Sequence, residues 1–240
     1  MSALITNRRR LFTRALAFGA VGLLPGCDFD HPHHPDISDR ILSAMSRWND
    51  EVQAALFDPA KRAPTFPASA ITNPPRFNAF YDISQAPVVD PATWRLALTG
   101  RIGDKTPWNL GRLSALPQHS QITRLICVEG WRVVGQWRGV PLGHFLRAVN
   151  ADLRARYVSI QCADGYFTSI DMASALQSQT ILALEFNGGP LTAPFGAPVR
   201  LRIPTKLGFK NPKSIIAMGV TNTYPGGYWE NQGYNWFSGS

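Results

Sequence analysis

Cysteine is nearly absent from this 240-residue chain: Cys27, Cys127 and Cys162 are the whole supply, too few for a disulfide scaffold and odd in number. No Cys-x-x-Cys-His haem attachment, iron–sulfur cysteine set or dinucleotide glycine fingerprint occurs, so redox chemistry here would need electrons from a separate protein. The apolar run from Ala15 to Leu24 falls well short of the ~20 residues of a membrane-spanning helix. No internal repeat or low-complexity tract argues for more than one sizeable core, which 45% hydrophobic content can fill. Charge of one sign is also scarce. The formal +8 falls to +4 once Arg8, Arg9, Arg10 and Arg14 are set aside, a mild bias that excludes a nucleic-acid-binding stripe.

Those four arginines belong to a segment with the order of an export signal. Asn7-Arg8-Arg9-Arg10-Leu11-Phe12 carries a twin-arginine pair ahead of the mild apolar run, and Gly19, Gly22 and Pro25 argue against a basic amphipathic helix. Leu24-Pro25-Gly26-Cys27 has the form of a lipoprotein processing box, although proline before the glycine is unusual there. Residues 1–27 are therefore read as a twin-arginine signal, leaving a periplasmic protein that is either soluble or lipid-anchored through Cys27.

Residues 28–75 read as a linker with one helix. His31, His33 and His34 beside Pro32 and Pro35 suit a tether better than a metal tract. Ile41, Met45, Trp48, Val52 and Leu56 form the stripe of an amphipathic helix over Ile37–Phe57, with Ser38 as cap and the stripe expected to pack on the domain. From Lys61 to Pro75 prolines predict an extended arm.

Residues 76–240 read as one catalytic domain. Strands are predicted at Trp94–Leu98, Ile122–Val128, Tyr157–Cys162, Thr180–Phe186, Val199–Pro204 and Ser214–Val220, and short helices at Leu110–Leu116, Leu142–Val149 and Asp171–Leu176. This alternation predicts an α+β architecture with curled mixed β-sheets.

Within it, RLICVEGWRVVGQWRGVPL (Arg124–Leu142) places Cys127 at the end of an apolar run, followed by Gly130, Gly135 and Gly139 with Trp131 and Trp137, read as a loop that lets a bulky ligand approach the backbone. A buried structural cysteine and a metal-binding thiolate are both compatible with that placement. CVEGW and the following Trp137–Leu142 segment resemble the metal-ligand segment of the sulfite oxidase superfamily, in particular its periplasmic molybdopterin-dependent methionine sulfoxide reductase catalytic subunits. RFNAFYDI (Arg76–Ile83) and GAPVRLRIPTKLGFKNPKSI (Gly196–Ile215) resemble the family's early and late blocks.

The resemblance implies the sulfite oxidase catalytic, molybdopterin-binding fold and a molybdenum-molybdopterin (Mo-MPT) cofactor. It places the metal-ligating, catalytic thiolate at Cys127, and cofactor contacts at Asn78, Tyr81, Asp82, Arg200, Asn211, Pro212 and Lys213. A planar guanidinium suits Arg200 to a phosphate. Cys162 stands where relatives end a strand with a cofactor-contacting threonine, and Phe195 where they carry Asn or His, so these two positions imply an altered pocket. A disulfide between Cys162 and Cys127 is the competing reading for the two thiols. The implied activity is oxygen-atom transfer, with reduction of S-oxides or N-oxides preferred and electrons drawn from a membrane haem protein or cytochrome. Sulfite oxidation is the alternative, because Arg132 and Arg138 flank the cysteine and either could belong to an anion pocket or to the surface. A non-catalytic molybdopterin-binding lipoprotein is the rival from another class. The expected substrate is a small molecule and no nucleic acid partner is expected. A chain ending at Ser240 lacks room for the family's dimerisation domain, which favours a monomer. The aromatic segment Pro225–Phe237 either covers the pocket or docks an electron-transfer partner, or else packs Trp229 and Trp236 into the core.

Overall fold

A computed structural model describes residues 37–77, 79 and 81–239. The export signal, Cys27, the histidine tether and Asn78 lie outside the described residues. The elements in chain order are α1 (Ile37–Leu56), β1 (Ala97–Gly100), α2 (Leu110–Ser114), β2 (His119–Ile126), β3 (Arg132–Pro141), α3 (Leu142–Ala148), β4 (Tyr157–Cys162), β5 (Phe167–Asp171), α4 (Met172–Leu176), β6 (Ile181–Phe186), β7 (Gly189–Pro190), β8 (Arg200–Arg202) and β9 (Ile215–Thr221). Residues from Leu42 onward form one compact unit. Among the described residues no helix is long and apolar enough to cross a membrane.

Two sheets carry the unit, as expected of a mixed α+β domain. One runs β1-β9-β4-β5, with β1 and β9 parallel and the other pairs antiparallel. The other runs β2-β3-β6-β7, with β8 also on β6. The main core joins inward residues of both, such as Val158, Ile160 and Val220 from the first and Val140, Leu182 and Leu201 from the second, to Phe145 and Leu146 of α3. On the second sheet a smaller cluster forms around Trp137, Ile181, Ala183 and Leu191.

Two expectations are corrected. The glycine-rich stretch after Cys127 is not a loop: Arg132–Pro141 is a ten-residue central strand between β2 and β6. Its glycines serve packing rather than a ligand, since a Cβ at Gly135 would collide with Phe186 and one at Gly139 with the Leu182 carbonyl, where the ladder shifts register. Secondly, the apolar stripe of α1 does not pack on the domain. Met45, Trp48 and Leu56 are 61%, 66% and 79% exposed, and the Ser38 side chain lies outside what the structure describes. The helix is held by its other side, where Asp50 Oδ1 accepts from Asn235 Nδ2 at 2.5 Å and from the Phe237 amide at 2.9 Å.

The proline-rich arm is extended, as predicted, and fixed. Phe66 N donates to Ile122 O (3.0 Å), Thr72 N to Val134 O (3.0 Å), and Gln179 clasps both backbone groups of Ala63.

Candidate functional site

Cys127 sits at the tip of the β2–β3 hairpin, and the turn chemistry puts it there. Its N–H donates to Trp131 O (2.9 Å), and Gly130 N donates back to Cys127 O (3.0 Å). Gly130 has φ +87°, the left-handed residue that a three-residue hairpin loop of this kind requires. The β4–β5 hairpin repeats the device: Cys162 N donates to Tyr166 O (2.9 Å), Gly165 N donates to Cys162 O (3.2 Å), and Gly165 has φ +82°. In each turn the acidic residue holds the aromatic one. Glu129 Oε2 accepts from the Trp131 indole (2.6 Å), and Asp164 Oδ1 from the Tyr166 amide (3.0 Å).

The two turns meet in a cleft of about 350 Å³. Cys127, Glu129 and Trp131 line it from one turn, Asp164 and Tyr166 from the other, and Asn211, Pro212 and Lys213 from the segment after β8. Tyr166 OH donates to Phe209 O (2.7 Å), which ties the second turn to that segment. Trp229 and Tyr234 complete an aromatic wall. Arg76 brings a cation to the mouth, with its guanidinium 4.6 Å from the Trp131 ring.

Burial pushes the Cys127 thiol up, with the Glu129 charge adding to it. The amides of Glu129 and Val128, and the Arg76 charge, pull the other way. The net effect favours the protonated thiol, and a metal bound there would require the thiolate. Cys162 is a different thiol: 3% exposed, absent from the cleft lining, and raised by burial first and the Asp164 charge second. Both cysteines are free, so the competing disulfide is absent.

Behind the cleft lies an excess of buried positive charge. Arg200 and Arg202 are fully buried and have no carboxylate partner among the described residues. Arg200 donates to Phe195 O (3.1 Å) and Asn211 O (3.0 Å), and Arg202 to Asn211 Oδ1 (2.9 Å) and Arg124 O (2.7 Å). Burial lowers Arg200 to about 10 and Arg202 to about 9. Burial, then the Arg200 charge, lowers Lys213 to about 7. Lys213 Nζ donates to Pro194 O (3.0 Å), and Gly196 at φ +100° gives it room, since a Cβ there would come within 2.8 Å of Lys213 Cβ.

Of the sequence-predicted residues, Cys127, Tyr81, Asn211, Pro212 and Lys213 line the cleft. Tyr81 OH donates to Asp164 Oδ2 (3.1 Å), and burial, then the Asp164 charge, pushes its phenol up. The Asn211 side chain is committed to the frame: its Oδ1 accepts from Arg202 and the Ile203 amide (2.7 Å), and its Nδ2 donates to Leu207 O (2.9 Å). Asp82, Cys162, Phe195 and Arg200 are not among the lining residues. Asp82 is exposed and caps the short helix Ile83–Gln85, and the Ser84 hydroxyl and amide hold its carboxyl below the usual range. Phe195 packs against Phe186, 4.9 Å between ring centroids, in the Trp137 cluster. Arg132 and Arg138 do not line the cleft either; Arg138 is paired with Glu185. The cation at the mouth is Arg76, which belongs to the early block Arg76–Ile83 but not to the cofactor contacts that the resemblance implies. Asp164 and Tyr166 were missed although Asp164-Gly165 is a hairpin signal. In the aromatic tail Trp229 walls the cleft, and Trp236, half-buried, donates to buried Ser169 Oγ (3.0 Å); neither joins the core.

The donor set fits a pterin-held metal. Among the described residues no group of three His, Cys, Asp or Glu side chains could hold a metal ion, so Cys127 offers one ligand to a metal whose others must come from elsewhere. The unneutralised Arg200 and Arg202, whose Nε atoms lack partners in the structure, and the desolvated Lys213 suit an anionic, phosphate-bearing group.

Residues 83–229 match the oxidoreductase molybdopterin binding domain family. Over 233 residues the chain is 52% identical to the "Putative protein-methionine-sulfoxide reductase subunit YedZ1" of Azospira oryzae, covering 97% of this chain and 88% of that protein. It is 27% identical over 259 residues to the protein-methionine-sulfoxide reductase catalytic subunit MsrP of Burkholderia mallei, covering 97% and 75%. The solved sulfane dehydrogenase SoxCD of Paracoccus pantotrophus shares the fold at a TM-score of 0.55 and 15% identity, over 84% of this chain and 57% of that one. A cleft with one accessible thiol, backed by unpaired buried cations, and the match over most of the domain lead to the same place: the chain belongs to the molybdopterin-binding oxidoreductases and is an enzyme of the sulfite oxidase superfamily.

Proposed function

We propose that this enzyme reduces S-oxides, with the sulfoxide of methionine as the leading substrate, in the periplasm, after twin-arginine export, and with electrons from a separate haem protein. The observation that carries the reading is the composition of the cleft: one thiol, Arg76 and Lys213 set against Glu129 and Asp164, and aromatic walls. The 52%-identical relative named as a methionine-sulfoxide reductase subunit supports it. The chemistry that Mo-MPT supplies when bound is two-electron oxygen-atom exchange, so the balanced reaction takes a sulfoxide, two electrons and two protons to a thioether and water.

The chain's own residues would do the rest. Cys127 would hold the metal as thiolate, a charge that the Val128 and Glu129 amides favour. Lys213 would hold the anionic end of the cofactor, with the charge of the buried Arg200 behind it. Arg76 donates to the sulfoxide oxygen, a polar group that a thioether lacks. Trp131, Trp229 and Tyr234 take the methyl and sulfur, which make favourable contacts with aromatic rings. Sulfite oxidation is disfavoured because neither Arg132 nor Arg138 lines the cleft, and its cations Arg76 and Lys213 are set against the carboxylates of Glu129 and Asp164.

Molybdenum-loaded protein assayed with reduced viologen dye against sulfoxides, and with ferricyanide against sulfite, tests the reading. Faster sulfite turnover overturns it.

A further inference from the structure

A second cavity, of about 620 Å³, lies on the side of β2 where the arm is bonded. Phe57, Phe66 and Ile126 give it an apolar floor, and Lys61, Arg62 and Arg124 line it with positive charge against one carboxylate, Asp58. The wall is built rather than loose. Gln179 accepts from Ala63 N (2.7 Å) and donates to Ala63 O (3.1 Å), and Gln177 donates to Lys61 O (3.3 Å). Buried cations lie behind this groove: Arg202 donates to Arg124 O (2.7 Å), and Lys206 Nζ sits 3.0 Å from the Phe237 ring centroid and 5.5 Å from that of Phe57. Lys206 has Asp171 at 3.3 Å, whereas Arg202 has no carboxylate partner among the described residues.

The groove is one peptide bond from the site. Ile126 lines it, and Cys127 lines the cleft. An electron delivered against Ile126 reaches the thiolate along one stretch of backbone and never passes through the space the substrate occupies.

We propose that this groove docks the electron-donating protein, and that the partner presents an acidic face around its exposed redox group. This rests on the reading that electrons come from a separate carrier. Positive lining selects the acidic face by charge complementarity, and continuity with Cys127 gives the contact its purpose.

The test uses the molybdenum-loaded enzyme and, as probe, a soluble b-type cytochrome domain whose haem edge is ringed by carboxylates. Binding is measured by calorimetry, and sulfoxide reduction is driven in turn by the reduced cytochrome and by reduced viologen. The Lys61→Glu, Arg62→Glu double variant reverses two exposed charges. It is expected to weaken cytochrome binding and the cytochrome-driven rate about tenfold at low salt, with the difference from wild type fading near about 0.5 M salt. The viologen-driven rate stays within about twofold of wild type, because the dye does not need the docking surface. Unchanged cytochrome affinity in the double variant overturns the proposal, as does an equal loss in Arg154→Glu, an exposed charge outside the groove. Absence of viologen-driven reduction in the wild type instead sinks the proposed activity, and the binding measurement still decides the groove.

Discussion

Cys127 and Cys162 occupy the same position in two turns of the same geometry, each opening a Cys-x-acid-Gly-aromatic loop whose glycine has a positive φ. Turn geometry therefore does not distinguish the two thiols. Accessibility does, because only Cys127 reaches the cleft.

Replacing Cys127 by serine is expected to abolish the Mo(V) paramagnetic signal and lower molybdenum content while leaving thermal unfolding nearly unchanged. Cys162→Ser should do the reverse, keeping the metal spectrum and losing about 1–3 kcal/mol through a buried hydroxyl. Equal perturbation of the spectrum by both variants would show that the single-ligand assignment is wrong.

Alanine at Gly130 or Gly165 meets no neighbour within 4 Å, so its penalty is conformational alone, about 1–2 kcal/mol for a left-handed residue. Asparagine should recover part of it. Gly139→Ala, which collides with the Leu182 carbonyl, should exceed both. Urea unfolding of the three variants ranks them, and equal losses would refute the distinction.

Lys213 titrates near 7 in the folded chain against an ordinary value of 10.5. Between those values the unfolded state binds more protons, so stability of the cofactor-free protein rises with pH from about 7 upward. Lys206, lowered to about 8 chiefly by burial, adds a second rise in the same direction. In Lys213→Met the rise should begin near 8 instead of 7. Urea midpoints from pH 6 to 9.5 read the onset, and an unmoved onset contradicts the assignment.

Lys210 Nζ and Glu230 Oε1 form a fully buried pair at 2.5 Å, with Thr168 Oγ1 on the same oxygen. Glu230→Leu strands the lysine and is expected to destabilise the protein by about 3–5 kcal/mol. Adding Lys210→Met should restore most of that loss. A double variant as unstable as the single one would locate the defect in packing rather than charge.

Local chemistry made much of this legible in the sequence. The strand Tyr157–Cys162 and the helix starting at Leu142 lie where alternation and periodicity place them. The reading failed at β3, where Gly135 and Gly139 look like loop residues until Phe186 and Leu182 are seen pressing on them. It failed for the face of α1 as well, because a polar anchor through Asp50 outweighs an apolar stripe. In the site, the cysteine and the late block were legible as local motifs. Asp164 and Tyr166 were not, since they reach the cleft only through long-range closure.

The aromatic tail bears on when the site can be made. Lys210 and Lys206 find Glu230 and the Phe237 carbonyl only after residues 230–237 arrive, roughly a hundred positions behind Cys127 in the order of translation. A nascent chain that has released the cysteine hairpin from the ribosome still lacks the Trp229 and Tyr234 wall and keeps two lysines without those partners. The wall of the cleft and the partners of both lysines are therefore complete only once residues 229–237 have folded back onto the domain.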